Sequence, residues 1–339
     1  MSKYRISAAP NSGFVLPHHS FFYFFNDHHP RGITISFSKA MNGEKHWQQL
    51  YRFPYFGYGF HFSDLGNSTY FGNAFAVFGF INIPVFRGEK RTEFSYTIGS
   101  GYSFLTKHFD TDLNYYNLAI GSAGNVYFNL GLDFKCRLTG SLIWETGTGI
   151  THFSNGAFSK PNTGINVMTA HTGMIYTLGQ TDIVKNNLTA KEVKNSYSLI
   201  YSAGIREITP PTGKKYFISS LSASVERSYW RKRRLGLGLD IFYDNSLIPR
   251  LEQQNKMNNT EFDNTRCGIH FSHDLIFGKT AITMQIGSYL YTKYQKDGYL
   301  YKRFGIKQRF NDHWMVNICL KTHYFKADFI EWGVGYYFE

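Results

Sequence analysis

Along much of this chain apolar and polar positions alternate with a period of two, the mark of strands whose two faces meet different surroundings. In the last segment Ile330, Trp332, Val334, Tyr336 and Phe338 fall on one face, and Glu331, Gly333, Gly335 and Tyr337 on the other. Leu235, Leu237, Leu239, Ile241 and Tyr243 separate in the same way from Arg234, Gly236, Gly238, Asp240 and Phe242. The pattern recurs at Trp314, Val316, Ile318 and Leu320 against Met315, Asn317, Cys319 and Lys321. It appears again at Val126, Phe128, Leu130, Leu132 and Phe134 against Asn129, Gly131, Asp133 and Lys135. Segments of about ten residues are the length of tilted strands crossing an outer membrane. No stretch approaches the roughly 18 to 20 consecutive apolar residues of a spanning helix. Because lipid satisfies no backbone hydrogen bonds, a closed antiparallel β-barrel is the architecture that remains.

Turn signals punctuate the pattern. Gly278-Lys279-Thr280 and Asn311-Asp312 read as short turns, as does the basic run from Arg231 to Arg234, while polar connections run from Asp182 to Asn195 and from Leu247 to Asn264. One side of short turns and one of long loops is the habit of membrane barrels. With the C-terminus in the periplasm, the three short turns are periplasmic and the segment from Thr151 to Pro161 lies outside. Before about residue 60 the parity is open, because Pro17, Pro30 and Pro54 interrupt the alternation. Residues 1–50 are either the first strands or a loop-rich arm. The expectation is an all-β transmembrane barrel of the outer membrane with about 14 strands, 12 or 16 being possible, formed as one domain over residues 1–339.

Composition sharpens this picture. Aromatic residues make up 18% of the chain and charged residues only 18%, an excess that aromatic girdles at the two membrane interfaces absorb and a soluble β-sandwich has little use for. The net charge of +12 is scattered, without a basic helix or nucleic-acid motif, so a phosphate-rich lipid surface suits it better than nucleic acid. Cys136, Cys267 and Cys319 are odd in number and far apart, and so form neither a disulfide framework nor a metal motif. Residues Met1 to Ser12 lack the order of an export signal, so the signal is expected to have been removed or replaced.

One block stands apart from the alternation: Thr151-His152-Phe153-Ser154-Asn155-Gly156, followed by Pro161-Asn162-Thr163-Gly164-Ile165-Asn166. His152 and Ser154, two apart, share a face of an extended strand with Leu142, Trp144, Thr146, Thr148 and Ile150, on the lipid side near the outer rim. A serine hydroxyl is a weak nucleophile until a base accepts its proton, and an imidazole within hydrogen-bond reach is the usual base in acyl transfer. Asn155, the amide groups near Gly156, and Asn162 are the candidate donors to an oxyanion. On spacing alone a solvated histidine and serine at a strand end are the better explanation of the pair.

The longer motif resembles the outer-membrane lipid A 3-O-deacylases, of which PagL is the type, and the related acyloxyacyl hydrolases. The resemblance rests on His152-x-Ser154-Asn155-Gly156 and Pro161-Asn162-x-Gly164-Ile165. It is supported by Asp64-Leu65-Gly66-Asn67 and Phe71-Gly72-Asn73-Ala74, and covers about residues 50 to 180. The remaining strands imply a barrel larger than the family's eight-stranded type. The resemblance implies that His152 and Ser154 are catalytic, that an acidic residue two positions after the motif's final glycine orients the histidine, and that the substrate is the lipid A of lipopolysaccharide. It implies an ester-linked 3-hydroxyacyl chain as the group removed, and neither a metal nor an organic cofactor. This chain has Asn166 at the acidic position, and Glu145 cannot replace it because its odd offset from His152 turns it to the lumen.

Two other readings compete. A catalytically weak or inactive barrel, binding outer-membrane lipids or serving as a scaffolding subunit of an envelope protein complex, is favoured by Asn166; retention of His152, Ser154, Asn155 and Asn162 together favours the esterase. A diffusion porin predicts a wide, charge-lined lumen, against which the inward positions mix glycine, aromatics and both charge signs. His18-His19 and His28-His29 invite a metal reading, but adjacent side chains on a strand point to opposite faces, and no metal site is assigned.

Overall fold

The computed structural model describes residues 1–338 apart from 26, 89–90, 186–194, 209–212, 258–261 and 325. Eight strands, β1 (Ser2–Val15), β2 (Arg31–Ala40), β3 (Tyr55–Asp64), β4 (Asn73–Arg87), β5 (Thr92–Leu105), β6 (Gly124–Arg137), β7 (Leu142–Ser154) and β8 (Ile165–Gln180), close into one antiparallel barrel. Eight more, β9 (Asn195–Glu207), β10 (Lys215–Trp230), β11 (Arg233–Asp244), β12 (Thr265–Phe277), β13 (Thr280–Thr292), β14 (Leu300–Arg309), β15 (Trp314–His323) and β16 (Lys326–Phe338), close into a second. Short helices α1 (Phe22–Phe25), α2 (His46–Leu50) and α3 (Leu247–Glu252) sit in the connections.

Sixteen strands fall within the expected range, but the single closed sheet expected over residues 1–339 is corrected to two. The reason lies in the closing pairs. β1 runs against β8 from Ser2↔Gln180 to Val15↔Val167, and β16 runs against β9 from Trp332↔Ala203 to Phe338↔Tyr197. Each closure satisfies both of its sheet's edges, leaving no unpaired row of N–H and C=O groups for further strands to join. The second eight strands therefore do not enlarge the first barrel. The first fifty residues supply β1 and β2, with Pro17, Pro30 and Pro54 lying between strands, where a missing N–H breaks no ladder. The connection from Asp182 to Asn195 falls in large part outside the described residues, as does part of that from Leu247 to Asn264, which begins with α3.

The period of two is realised as inside and outside. In β16, Trp332, Val334, Tyr336 and Phe338 are exposed while Glu331, Gly333, Gly335 and Tyr337 are buried; in β11, Leu237, Leu239, Ile241 and Tyr243 face out from Gly236, Gly238, Asp240 and Phe242. Outward belts of this kind are stable against hydrocarbon and would be an aggregation surface in water, which places both barrels in the outer membrane.

Both interiors are polar, and that of the second barrel is filled. In the second barrel Arg303 pairs with Asp240 at 2.9 Å and Glu331 at 2.7 Å, Lys307 with Glu226 at 2.8 Å, and Arg234 with Glu226 at 3.0 Å and Asp274 at 2.7 Å. These buried charges compensate one another across the lumen, making it a packed core rather than a channel, as expected when eight strands leave room only for side chains. The porin reading loses its basis there. In the first barrel Glu93 gathers Arg5 (3.3 Å), Arg87 (2.9 Å) and Lys135 (3.3 Å), beside a polar cavity of about 120 Å³ that Asp133, Glu145 and His171 help to line.

Within the first barrel, connections 16–30, 65–72, 106–123 and 155–164 gather at one end. Their apolar side chains, among them Val15, Phe22, Phe71, Ala119, Phe153 and Ile165, form a core cluster that packs that end. In the second barrel the turns at 231–232, 278–279 and 310–313 share one end, as their spacing predicts.

Candidate active site

His152 and Ser154 close β7 at the packed end of the first barrel. Glu145, Gly149 and Thr151, of opposite parity, line the lumen, so the pair belongs to the outward face, and Glu145 lies inside as its offset requires. The β7–β8 register sets His152 directly across from Asn166, and the β6–β7 register sets Ser154 across from Val126. Cross-strand pairing thus brings together residues fourteen apart in the sequence.

With the Asn166 amide in the orientation it takes here, the contacts define the protonation states. His152 Nδ1 stands 2.7 Å from Asn166 Oδ1, and its Nε2 stands 2.9 Å from Ser154 Oγ. An amide oxygen only accepts, so the proton is on Nδ1 and donates to Asn166. That leaves the Nε2 lone pair facing the Ser154 hydroxyl, which donates to it. This is the tautomer that a base needs to take a proton from a neighbouring nucleophile.

Three connections hold this arrangement. Leu16 N–H donates to the Asn166 carbonyl at 2.8 Å, Gly164 N–H to the Ala119 carbonyl at 3.0 Å, and the Thr163 hydroxyl to the Leu118 carbonyl at 3.2 Å. Gly164 has φ +80°, and a Cβ built there would lie 2.7 Å from His152 Cε1. Only glycine meets both the left-handed backbone and the close approach of the imidazole.

The connection between β7 and β8 is drawn together by the Asn155 N–H, which donates to Asn162 Oδ1 at 3.1 Å, while Asn155 Nδ2 donates to Ser122 Oγ at 3.0 Å. Asn162 Nδ2 is buried and has no hydrogen-bond partner among the described residues. A buried donor of that kind carries a desolvation cost that a ligand oxygen would relieve. Asn155 and Asn162 are therefore brought together beside Ser154. Gly156, at φ +62°, begins the segment Gly156–Lys160, which groups with the second unit rather than with this cluster.

Two residues at the site were not singled out for it in the sequence. Ser122 belongs to no motif, and its contact with Asn155 depends wholly on the path of the 106–123 connection. His18, seen there only as half of a histidine pair, has Nδ1 3.3 Å from Asn166 Nδ2 and Nε2 3.1 Å from the Thr163 carbonyl.

Comparison with known proteins places these features. Residues 31–174 match the family model of lipid A 3-O-deacylase (PagL), and residues 195–339 match that of the acyloxyacyl hydrolase C-terminal domain. No curated protein matches the chain. Among solved structures, the outer-membrane enzyme PagL overlaps 50% of this chain and 97% of its own, at 18% identity and a TM-score of 0.32. The Pseudomonas putida toluene transporter TodX covers 99% of this chain and 88% of its own at 7% identity and a TM-score of 0.19. A mutant Rh. blastica porin covers both chains fully at 10% identity and a TM-score of 0.20. The likeness in sequence lies in the two family matches, each over somewhat less than half of the chain.

Proposed function

We propose, from the premise that this chain belongs to the lipid A 3-O-deacylase family, that Ser154 is its nucleophile, His152 its general base and Asn166 the group that orients His152. The enzyme resides in the outer membrane, and its substrate is lipid A. The finer assignment rests above all on the unbroken hydrogen-bonded chain from Ser154 through His152 to Asn166, at 2.9 and 2.7 Å.

In the first step Ser154 Oγ attacks the carbonyl carbon of the ester that joins a 3-hydroxyacyl chain to the glucosamine, as His152 Nε2 takes the hydroxyl proton. The doubly protonated imidazole is held by Asn166 Oδ1, which accepts from Nδ1 throughout. The buried Nδ2 of Asn162 is the candidate donor to the oxyanion, because that side-chain nitrogen combines burial with an unmet hydrogen bond among the described residues. Collapse of the intermediate breaks the bond to the sugar oxygen, which leaves with the proton from His152. Water, deprotonated by His152, then cleaves the acyl–serine ester and releases the 3-hydroxy fatty acid. None of these steps calls for a metal or an organic cofactor.

The outward placement of the pair suits this substrate. An ester whose acyl chains lie in the surrounding leaflet reaches a lipid-facing wall by lateral diffusion, without entering the lumen. Asn166 supports a weaker triad than a carboxylate, since it orients the imidazole without contributing charge.

Mass spectrometry of lipid A from cells expressing the wild type or Ser154→Ala tests the assignment. Loss of one 3-hydroxyacyl mass only with Ser154 present is the expected outcome. Identical spectra from the two strains, under conditions that perturb the membrane, would turn the reading toward a lipid-binding or scaffolding barrel.

A further inference from the structure

An asparagine in the orienting position raises a problem that an acid does not have: its two terminal atoms are chemically opposite, and only one orientation of the amide serves the mechanism. With Oδ1 toward His152, Nδ1 carries the proton and Nε2 is free to act as base. With the amide reversed, Nδ2–H donates to His152 Nδ1, the proton moves to Nε2, and the ring points a hydrogen at Ser154 instead of a lone pair. Both orientations make a full set of hydrogen bonds between Asn166, His152 and Ser154, so nothing within the triad selects the active one.

His18 supplies the selection. Its Nε2 lies 3.1 Å from the Thr163 carbonyl, which can only accept, so Nε2 carries the proton. In the neutral ring Nδ1 is then an acceptor, and it stands 3.3 Å from Asn166 Nδ2. The Leu16 carbonyl, 3.0 Å from the same Nδ1, is the acceptor for the opposite neutral tautomer, but it already accepts from the His18 N–H at 2.9 Å, and that tautomer would set the bare Nε2 lone pair against the Thr163 carbonyl. The Thr163 carbonyl thus sets the His18 tautomer, and His18 accepts from the amide end of Asn166 that must face away from His152. The imidazole is also lodged against Phe22, with ring centroids 4.8 Å apart. Reversal of the Asn166 amide would bring Oδ1 against the lone pair of His18 Nδ1.

We propose that His18 is a positioning residue that locks the Asn166 amide in its productive orientation, extending the relay to Ser154–His152–Asn166–His18 across the β1–β2 and β7–β8 connections. This rests on the assignment of Ser154, His152 and Asn166 given above. The device is specific to an amide: a carboxylate presents an oxygen in either orientation and has nothing to lock.

That difference supplies the test. Initial rates of 3-hydroxy fatty acid release from detergent-dispersed lipid A are measured with the purified full chain, for His18→Ala and His18→Gln in the wild-type and Asn166→Asp backgrounds, with Ser154→Ala as the control. A hydrogen bond of ordinary strength biases the amide about fivefold and keeps it productive in roughly five molecules of six, so His18→Ala, which leaves about half of them productive, is expected to lower kcat by just under about twofold with KM unchanged. His18→Gln, which retains an acceptor, keeps most of the rate. In the Asn166→Asp background His18→Ala has no effect on kcat, and this coupling is what a general structural role does not produce. An equal loss in both backgrounds, a change confined to KM, or no loss in either overturns the proposal while leaving the triad assignment in place. Activity that survives Ser154→Ala overturns the triad assignment itself.

Discussion

Replacing Asn166 with aspartate should make this enzyme faster. The substitution is isosteric, so the 2.7 Å contact with His152 Nδ1 is kept while the acceptor gains a full charge. A neutral hydrogen bond contributes about 1 kcal/mol net, and one to a charged group about 1.5 to 3 kcal/mol. The imidazolium that forms as Ser154 attacks is therefore held better by roughly 0.5 to 2 kcal/mol, equivalent to about a two- to thirtyfold rise in rate. Desolvation of the new carboxylate in a half-buried position works against this, which sets the expectation in the lower part of that range, at about fivefold. Because the charge acts on the transition state and not on lipid A, the gain belongs in kcat, with KM unchanged. Release of 3-hydroxy fatty acid by purified wild type and Asn166→Asp, measured by mass spectrometry over initial rates, decides the matter. A rate that stays level or falls in a folded variant that still depends on Ser154 would refute the argument, since it would mean that the amide is not in the line of proton transfer.

Three further outcomes follow from the geometry. Gly164→Ala places a methyl group 2.7 Å from His152 Cε1 on a backbone at φ +80°, so kcat should fall at least tenfold, with about 1 to 2 kcal/mol of strain added to the fold; kcat at the wild-type level would show that the ring need not sit where it does. Asn162→Asp keeps the acceptor used by the Asn155 N–H and removes the buried Nδ2 donor; loss of an oxyanion donor lowers kcat roughly 10²-fold, and an unchanged rate would remove Asn162 from that role. Arg303→Met leaves Asp240 and Glu331 facing each other in the second lumen without their shared cation, a loss of about 3 to 5 kcal/mol. It should appear as a marked drop in the temperature at which the folded band disappears on electrophoresis, and an unshifted temperature would refute it.

How much of this was legible in the sequence depends on the range over which each feature is encoded. Inside and outside are local properties: the residues of β11, and those of β16 from Ile330 onward, occupy the face that parity assigns, because one residue's offset from its neighbour fixes which way it points, and the rule breaks at buried Asp328, where the β15–β16 register shifts. The His152–Ser154 contact is local in the same sense. The contact with Asn166 was accessible only through a motif, since it requires the β7–β8 register to place position 152 across from position 166. His18 and Ser122 lie beyond either kind of signal. They reach the site through the 16–30 and 106–123 connections, whose paths are set by packing around Phe22, Ala119 and Phe153 rather than by any period.

Closure is the least local feature of all, which is why the alternation alone leads to one barrel of about 14 strands rather than two of eight. A strand that ends a barrel looks like a strand that continues one: β8 alternates as β7 does, and the last described pairing of the first barrel, Ser2↔Gln180, joins residues at opposite ends of that unit. Neither the count of strands nor their parity separates one barrel of sixteen from two of eight. The composition of the lumen does carry the distinction. A sixteen-stranded barrel encloses water and can leave its inward charges solvated, whereas an eight-stranded one must fill its interior with side chains. Inward arginines and lysines then need partners at hydrogen-bond distance. Arg234, Asp240 and Glu331, read in the sequence as polar positions facing inward, are buried and paired. Near-balanced inward charge, interleaved with glycine that lets the long side chains cross, is accordingly the signature of the small barrel. In the proposed reading the chemistry accordingly sits on the outer wall rather than in the lumen.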